Sequence, residues 1–520
     1  MKSFRPLFLA VSLLPLHALC AADAPGPAHP NVLLILADDL GYGDVGCYNP
    51  ESGIPTPNLD RLAREGMRFT DAHSATTVCT PSRYSLMTGQ MAFRVPGGGK
   101  VFCGVGGPSL IEPGRMTMAD MLRAKGYETG AVGKWHIGLT LRDKNGQPVA
   151  DHGVASVREV DYSRRVEGGP LEHGFDYFFG TACCPTTDWL YAYIVGDRIP
   201  VPPTEPVDKS KFPNNPYTQD FRDGLVAPDY NLNAVDLEFL KKSREFLEKH
   251  AKTDPEKPFF LYHATAGVHL ATLPAPRFQG KTKYGPQGDY IFEFDSIVGE
   301  LMKTLERLKL ADNTLVIITS DNGPETETTV AMRRDHHHDG ARPWRGMKRD
   351  DWEGGHRVPF IVYWPGHVKP GQTSDQLISQ TDVMATVAAI VGAKLPDNAA
   401  EDSYNMLPAL LSQAQKQIRP YLLEQAFHGA RDLSIRRGNW KLLDHKGSGG
   451  NNYDSPLLKR YALKDTEPEA PGQLFDLAKD PGEKTNVYQE HPEIVRELKA
   501  TLDESKQSGR SAPHRTDPAG

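Results

Sequence analysis

Asn31-Val32-Leu33-Leu34-Ile35-Leu36-Ala37 runs directly into Asp38-Asp39. Six consecutive apolar residues that end on two carboxylates read as a strand buried on both faces, its carboxyl end opening onto a ligand site. The same punctuation returns downstream, where the apolar run 315–319 leads into Ser320-Asp321-Asn322-Gly323. Residues 129–132, 259–263 and 358–364 are further short apolar runs and predict strands of the same buried, parallel kind. Between them lie stretches with helical spacing. Thr56-Pro57 starts one that stops at Gly66, 118–125 ends at Gly126, and 234–250 is longer and amphipathic. The stretch 290–308 places Ile291, Phe294, Ile297, Val298, Leu301, Leu305 and Leu308 along one side. Strands alternating with helices predict an α/β architecture built on a large, mainly parallel sheet.

If both strands end at one edge, Asp38, Asp39, Asp321 and Asn322 meet there. Clustered carboxylates repel unless a cation joins them. Three carboxylates and an amide oxygen are hard ligands without the sulfur or imidazole that zinc favours, a set suited to Ca²⁺ or Mg²⁺.

The chain has 520 residues, room for one large domain and a smaller one. Its first 22 residues combine Lys2 and Arg5, an apolar run over 7–19 and the small residues Ala21 and Ala22, an export signal by composition. Leu19 before Cys20 fits a lipoprotein cleavage site poorly, and Pro15 breaks a run already short for a membrane anchor. The expectation is an exported protein, periplasmic or extracellular, and not transmembrane. Loss of Lys2 and Arg5 with the signal takes the formal charge from −7 to −9. Such a chain is a poor nucleic-acid binder, so any affinity for an anion must come from local cations in a pocket. Besides Cys20 there are Cys47, Cys79, Cys103, Cys183 and Cys184, too few for a disulfide scaffold of this length. One or two bridges remain open, and the vicinal Cys183-Cys184 pair is better suited to bond elsewhere or stay reduced than to bond to itself.

Cys79-Thr80-Pro81-Ser82-Arg83-Tyr84-Ser85-Leu86-Met87-Thr88-Gly89 is the most specific string in the chain. It resembles the maturation signature of the type I sulfatases, C-x-P-S-R followed by L-x-T-G. Gly126-Tyr127-Glu128-Thr129 through Gly133-Lys134-Trp135-His136-Ile137-Gly138 resembles a second block of that family. Tyr262-His263-Ala264 through Val268-His269-Leu270 is similar to the family strand that ends in a catalytic histidine, though its usual proline neighbours are missing here. His263, nearer the strand body, reads as structural. Trp344-Arg345-Gly346-Met347-Lys348, Glu353-Gly354-Gly355-His356-Arg357 and Trp364-Pro365-Gly366 match another block, and Gln473-Leu474-Phe475-Asp476-Leu477 with Asp480-Pro481-Gly482 resembles a structural motif near the C-terminus. These blocks span 31–487.

The resemblance implies an alkaline-phosphatase-like sandwich with a smaller C-terminal α+β subdomain carrying an antiparallel sheet. It implies conversion of Cys79 to formylglycine by a formylglycine-generating or anaerobic sulfatase-maturating enzyme. The hydrated aldehyde would attack a sulfate ester, pass through a sulfo-enzyme intermediate and use its second hydroxyl to expel sulfate. Asp38, Asp39, Asp321, Asn322 and residue 79 would hold the cation. Arg83 and Lys134 would orient the hydrate, His136 would act as base, and His269 with Lys348 would protonate the leaving alcohol. The implied substrate is a sulfated polysaccharide or oligosaccharide, with 6-O-sulfated galactose or N-acetylgalactosamine favoured. A phosphomonoesterase or phosphonate monoester hydrolase of the same superfamily, and a non-catalytic sulfated-glycan binder, are the competing readings. The Gly-Lys-Trp-His block favours sulfate.

The expected organisation is a signal over 1–22, a catalytic domain over 23–411, a C-terminal subdomain over 412–510 and a disordered tail over 511–520. The Pro-rich stretch 195–228 reads as an insertion shaping access. Strands are expected over 433–443 and 473–477, then a helix from 492 to 505. Arg334-Asp335-His336-His337-His338-Asp339 reads as a polar loop at the pocket rim. Neither a phosphate-binding loop nor a Gly-x-Ser-x-Gly elbow is present.

Overall fold

Residues 29–515 are described in a computed structural model of the chain. The expected export signal over 1–22 lies outside them. Nine strands form the central sheet: β1 (Asn31–Ala37), β2 (Met67–Phe69), β3 (Glu128–Lys134), β4 (Tyr177–Thr181), β5 (Ile194–Val195), β6 (Phe259–Ala264), β7 (Thr314–Ser320), β8 (Phe360–Tyr363) and β9 (Gln372–Ser374). Their order is β9-β2-β8-β7-β1-β6-β3-β4-β5. The five central strands β7-β1-β6-β3-β4 are parallel. β1 is buried along its whole length, as expected for a sheet covered on both faces.

The stretch 358–364 does form a strand, but β8 runs antiparallel to β7 and β2, so it is not one of the parallel strands. Its apolar composition matches its burial and carries no information on direction. Strands β2 and β9 on one side of the sheet and β4 and β5 on the other were not foreseen; they are short, and most lack a continuous apolar run.

Helices α1 (Pro57–Glu65), α2 (Cys79–Thr88), α3 (Val235–Thr253) and α4 (Gly285–Arg307) lie among these strands. α4 starts earlier than its apolar spacing suggested, with Pro286 in its first turn. It buries Ile291, Phe294, Val298, Leu301 and Leu305, one face at i, i+3, i+7 spacing. The stretch 195–228 is less irregular than expected. Two of its segments, Glu205–Pro206 and Leu225–Val226, join Leu190–Tyr191 in a small three-stranded sheet.

The C-terminal part carries an antiparallel sheet of β10 (Leu422–Gln425), β11 (Leu433–Arg437), β12 (Trp440–Leu443) and β13 (Gln473–Asp476). The stretch 433–443 is thus a hairpin, turning at Gly438 with φ +57°. A helix over Pro492–Ser508 packs Val495, Leu498 and Leu502 on Leu433, Ile435, Leu442 and Leu474, and Ala75 and Met91 of the catalytic part join the same cluster. Residues 511–515, expected to be disordered, are held. Ser511 and Ala512 donate their N–H groups to the Glu401 carbonyl, and Arg515 donates its backbone N–H to Asp397. Among the described residues no helix is long and apolar enough to cross a membrane.

Candidate active site

Strand register assembles the site. Ala37 lies opposite Ser320 and Leu36 opposite Ala264, so Asp38, Asp321 and Thr265 emerge side by side at the carboxyl edge. Gly133 lies opposite Ala264 in β3, which brings Lys134 to the same edge. At Gly133 φ is +112° and a Cβ would sit 1.8 Å from the Ala264 carbonyl oxygen, so only glycine fits.

Cys79 opens α2, a helix whose every residue is buried. Arg83, one turn on, shares its face. It donates Nε and Nη2 to Asp321 Oδ2 at 2.9 and 2.7 Å, and Nη1 to the Lys134 carbonyl at 3.0 Å. Lys134 Nζ donates to Asp38 Oδ2 at 2.6 Å. Lys348 Nζ reaches Asp39 Oδ2 at 2.8 Å, and Asn322 donates its amide to Asp39 Oδ1 at 2.7 Å. His269 Nε2 is 3.6 Å from Asp39 Oδ2 and 3.9 Å from Cys184 Sγ. The structure therefore brings Asp38, Asp39, Cys79, Arg83, Lys134, His136, His269, Asp321, Asn322 and Lys348 together, and all are buried.

The electrostatics explain what such a cluster lacks. Burial, with Asp38 beside it, pushes the Asp321 carboxyl up to about 6. Burial works against the charge of Lys134, yet the Asp38 carboxylate holds it above the usual ammonium range. Asp38 Oδ1 and Asn322 Oδ1 are buried oxygens without a hydrogen-bond partner. Unsatisfied buried oxygens are costly. Here they sit with two further carboxylates, so the donor set fits a hard divalent cation. A hydrogen bond with the Cys184 thiol, then the charges of Lys134 and His136, hold the Cys79 thiol well below its usual range against the effect of burial. Its place at a helix N-terminus favours the anion in the same sense.

His136 Nε2 donates to the Phe102 carbonyl at 2.7 Å. That contact fixes the tautomer and leaves Nδ1, buried and unpartnered, as an acceptor. Burial lowers the pKa of His136, opposed by the Cys79 sulfur beside it. His263 lies elsewhere, buried against Ser243 Oγ at 2.8 Å, in the structural role its place in the strand suggested.

A pocket of about 90 Å³ opens above Cys79. Among its lining residues, Cys184, Asp220, Arg222, Glu325 and Arg349 were missed from sequence. Glu325 faces Lys348 at 3.1 Å and Arg349 at 2.5 Å; a glutamate three residues past Asn322 carries no pattern of its own. Cys184 was visible as half of a vicinal pair, with nothing to tie it to Cys79. Asp220 and Arg222 lie in the stretch read as shaping access. The histidine run is not at this pocket. His337, at φ +53°, ends the helix Thr326–His336, and His338 Nε2 pairs with Asp44 Oδ1 at 2.7 Å. The five described cysteines are all free thiols.

A family model described as Sulfatase matches residues 30–393. The chain belongs to the sulfatase family. A second model, N-sulphoglucosamine sulphohydrolase, C-terminal, matches residues 346–508 of this sulfatase. It is 33% identical over 92% of its length to N-acetylgalactosamine-6-O-sulfatase of Bacteroides thetaiotaomicron, covering 93% of that protein. To human arylsulfatase A it is 32% identical, over 90% of this chain and 86% of the relative. A solved sulfatase structure from work on glycosaminoglycan metabolism by Bacteroides thetaiotaomicron superposes with a TM-score of 0.75 at 31% identity, covering 92% of this chain and 99% of that one. A sulfatase from Pseudoalteromonas sp. gives 0.68 at 27% identity, covering 94% and 92%. The sulfatase is a sulfuric ester hydrolase.

Proposed function

We propose that this sulfatase removes sulfate from a sugar of a sulfated polysaccharide or oligosaccharide, with 6-O-sulfated galactose or N-acetylgalactosamine as the favoured unit. The convergence of Cys79, four hard oxygen donors and five cationic or imidazole groups around one buried pocket carries the reading. The relative named for N-acetylgalactosamine 6-O-sulfate supports the choice of sugar. We further propose export to the periplasm or the cell exterior, and conversion of Cys79 to formylglycine by a formylglycine-generating or anaerobic sulfatase-maturating enzyme.

Asp38, Asp39, Asp321 and Asn322 would hold one divalent cation, Ca²⁺ in our reading, which supplies positive charge against the sulfate oxygens and the nucleophile. Formylglycine at residue 79 supplies two hydroxyls on one carbon when hydrated, one to attack sulfur and one to release sulfate. Arg83, locked on Asp321, and Lys134, locked on Asp38, keep those carboxylates oriented and add charge beside residue 79. His136 Nδ1, the free acceptor next to residue 79, takes up the proton when sulfate is expelled. His269, which lines the same pocket as residue 79, gives its Nε2 proton to the leaving sugar oxygen. Its Nδ1 is committed to the Leu270 carbonyl, which leaves Nε2, beside the Asp39 carboxylate, as the nitrogen free to serve the leaving oxygen. Lys348, held between Asp39 and Glu325, supports the charge that develops on the leaving oxygen.

The test is a panel of defined sulfated saccharides, an aryl sulfate and its phosphate analogue, with formylglycine content verified in the same preparation. Release of sulfate from a 6-O-sulfated galactose or N-acetylgalactosamine unit is expected. Preference for the phosphate would favour the phosphomonoesterase reading, and binding without turnover the non-catalytic one.

A further inference from the structure

The pocket over Cys79 does not end at its own walls. Val101, Phe102, Cys103 and Phe427 line it and also line a wider groove of about 760 Å³. The smaller space sits on the reactive groups, and the larger one leads outward between the segments 99–108, 148–151 and 427–431. Two features distinguish this groove. Phe427, on the shared wall, is 36% exposed and is the only aromatic among the exposed large apolar side chains of the described residues. An unburied ring at the mouth of a catalytic pocket offers a flat face for the C–H side of a sugar ring. The second feature is charge. Lys100 and Arg431 line the groove, both are exposed, and neither forms an ion pair among the described residues. His428 Nδ1 is taken up by Asp432 Oδ2 at 2.5 Å. The groove's one acidic lining residue is Asp151. This is a local excess of positive charge on a chain whose formal net charge is −7.

We propose that this groove is a subsite for the sugar next to the one carrying the scissile sulfate, and that it selects a neighbour bearing an anionic substituent. Phe427 stacks on that neighbour's ring, while Lys100 and Arg431 pair with its carboxylate or with a second sulfate. The proposal rests on the sulfatase reading of the Cys79 pocket and deepens it, since it makes an acidic oligosaccharide, and not an isolated sulfated sugar, the preferred substrate. Exposed charge pairs are individually weak and screened by salt, so the selection is a matter of degree and declines as ionic strength rises.

The test compares four substrates that share one sulfated sugar: the monosaccharide, and disaccharides whose neighbour is neutral, a uronate, or sulfated. For the full enzyme with verified formylglycine, kcat/KM is expected to be highest for an acidic disaccharide. In the Lys100→Ala/Arg431→Ala double variant, the ratio of kcat/KM for that disaccharide over the monosaccharide should fall about tenfold, the sum of two exposed pairs. The uronate and sulfate arms show which substituent is read. In Phe427→Ala the ratio should fall for both neutral and acidic disaccharides. An unchanged ratio in the double variant, or an equal fall for neutral and acidic neighbours, would overturn the proposal. No turnover of any sulfate ester by the unsubstituted enzyme would overturn the sulfatase reading itself, and the subsite with it.

Discussion

Lys348 Nζ lies 3.1 Å from Glu325 Oε2, and both side chains are almost entirely enclosed. Glu325 is no candidate ligand of the cation, yet with Asp39 it fixes where the Lys348 ammonium sits. Glu325→Gln keeps the shape and removes the charge. It should lower kcat by about tenfold or more, as misplacement of a group beside the reacting atoms does, with a smaller change in KM. Steady-state kinetics with an unchanged circular dichroism spectrum check this. Equal kinetics would show that Lys348 is held by Asp39 alone.

Cys79→Ser should fold normally and lose steady-state turnover. A serine hydroxyl has no geminal partner with which to release a bound sulfate group. Sulfate release measured over many turnovers, alongside a melting curve, decides it, and sustained activity would contradict the role given to the second hydroxyl.

Chelation reads out the acidic corner. With Asp38 Oδ1 and Asn322 Oδ1 unpartnered, binding of a divalent ion should stabilise the fold as well as the activity. EGTA should lower Tm by a few degrees, about what loss of 1–2 kcal/mol produces in a large domain, and Ca²⁺ should restore it. In Asp321→Asn the response to Ca²⁺ should shrink.

Much of this corner was legible from sequence because it depends on strand ends. An apolar run that stops at Asp38-Asp39, and another that stops before Asp321-Asn322, need only adjacent parallel pairing to meet. Cys79 and Arg83 needed only a helix. Glu325, Arg349, Cys184, Asp220 and Arg222 were missed because they come from loops whose paths depend on tertiary packing. Strand β8 shows the same limit on the fold side: composition reported its burial, and only the chain path around 343–359 decides its direction. The histidine run misled because three polar residues in a row resemble a surface loop, whereas His338 is buried against Asp44.

Arg419 ties the start of the C-terminal part to the helix Asp382–Ile390 and the loop at Asp402. It donates to both carboxylate oxygens of Asp382 at 3.0 and 2.6 Å and to the Asp402 carbonyl at 2.6 Å, with almost no exposure. Arg419→Ala leaves Asp382 without its partner and should cost about 3–5 kcal/mol. Removing the exposed Arg61–Glu65 pair should change stability by less than about 0.5 kcal/mol. Denaturant melts compare the two.

Glu293 sets a pH dependence away from the site. Burial, with Asp236 adding, pushes its carboxyl up to about 8, against a usual value of 4.5. The folded chain therefore keeps a proton that the unfolded chain gives up, and this contribution to stability is full below about 4.5 and declines as pH rises toward 8. Glu293→Gln should flatten that part of the profile and gain in relative stability at pH 8. A decline of the same steepness in the variant would assign it to other groups.

The side chain at position 79 decides the chemistry, and mass analysis of the peptide carrying it, from active enzyme, is the most direct measurement. The expected result is the mass of the aldehyde or its hydrate, in a fraction that tracks specific activity across preparations. Full activity in material whose residue 79 is unmodified cysteine throughout would contradict it.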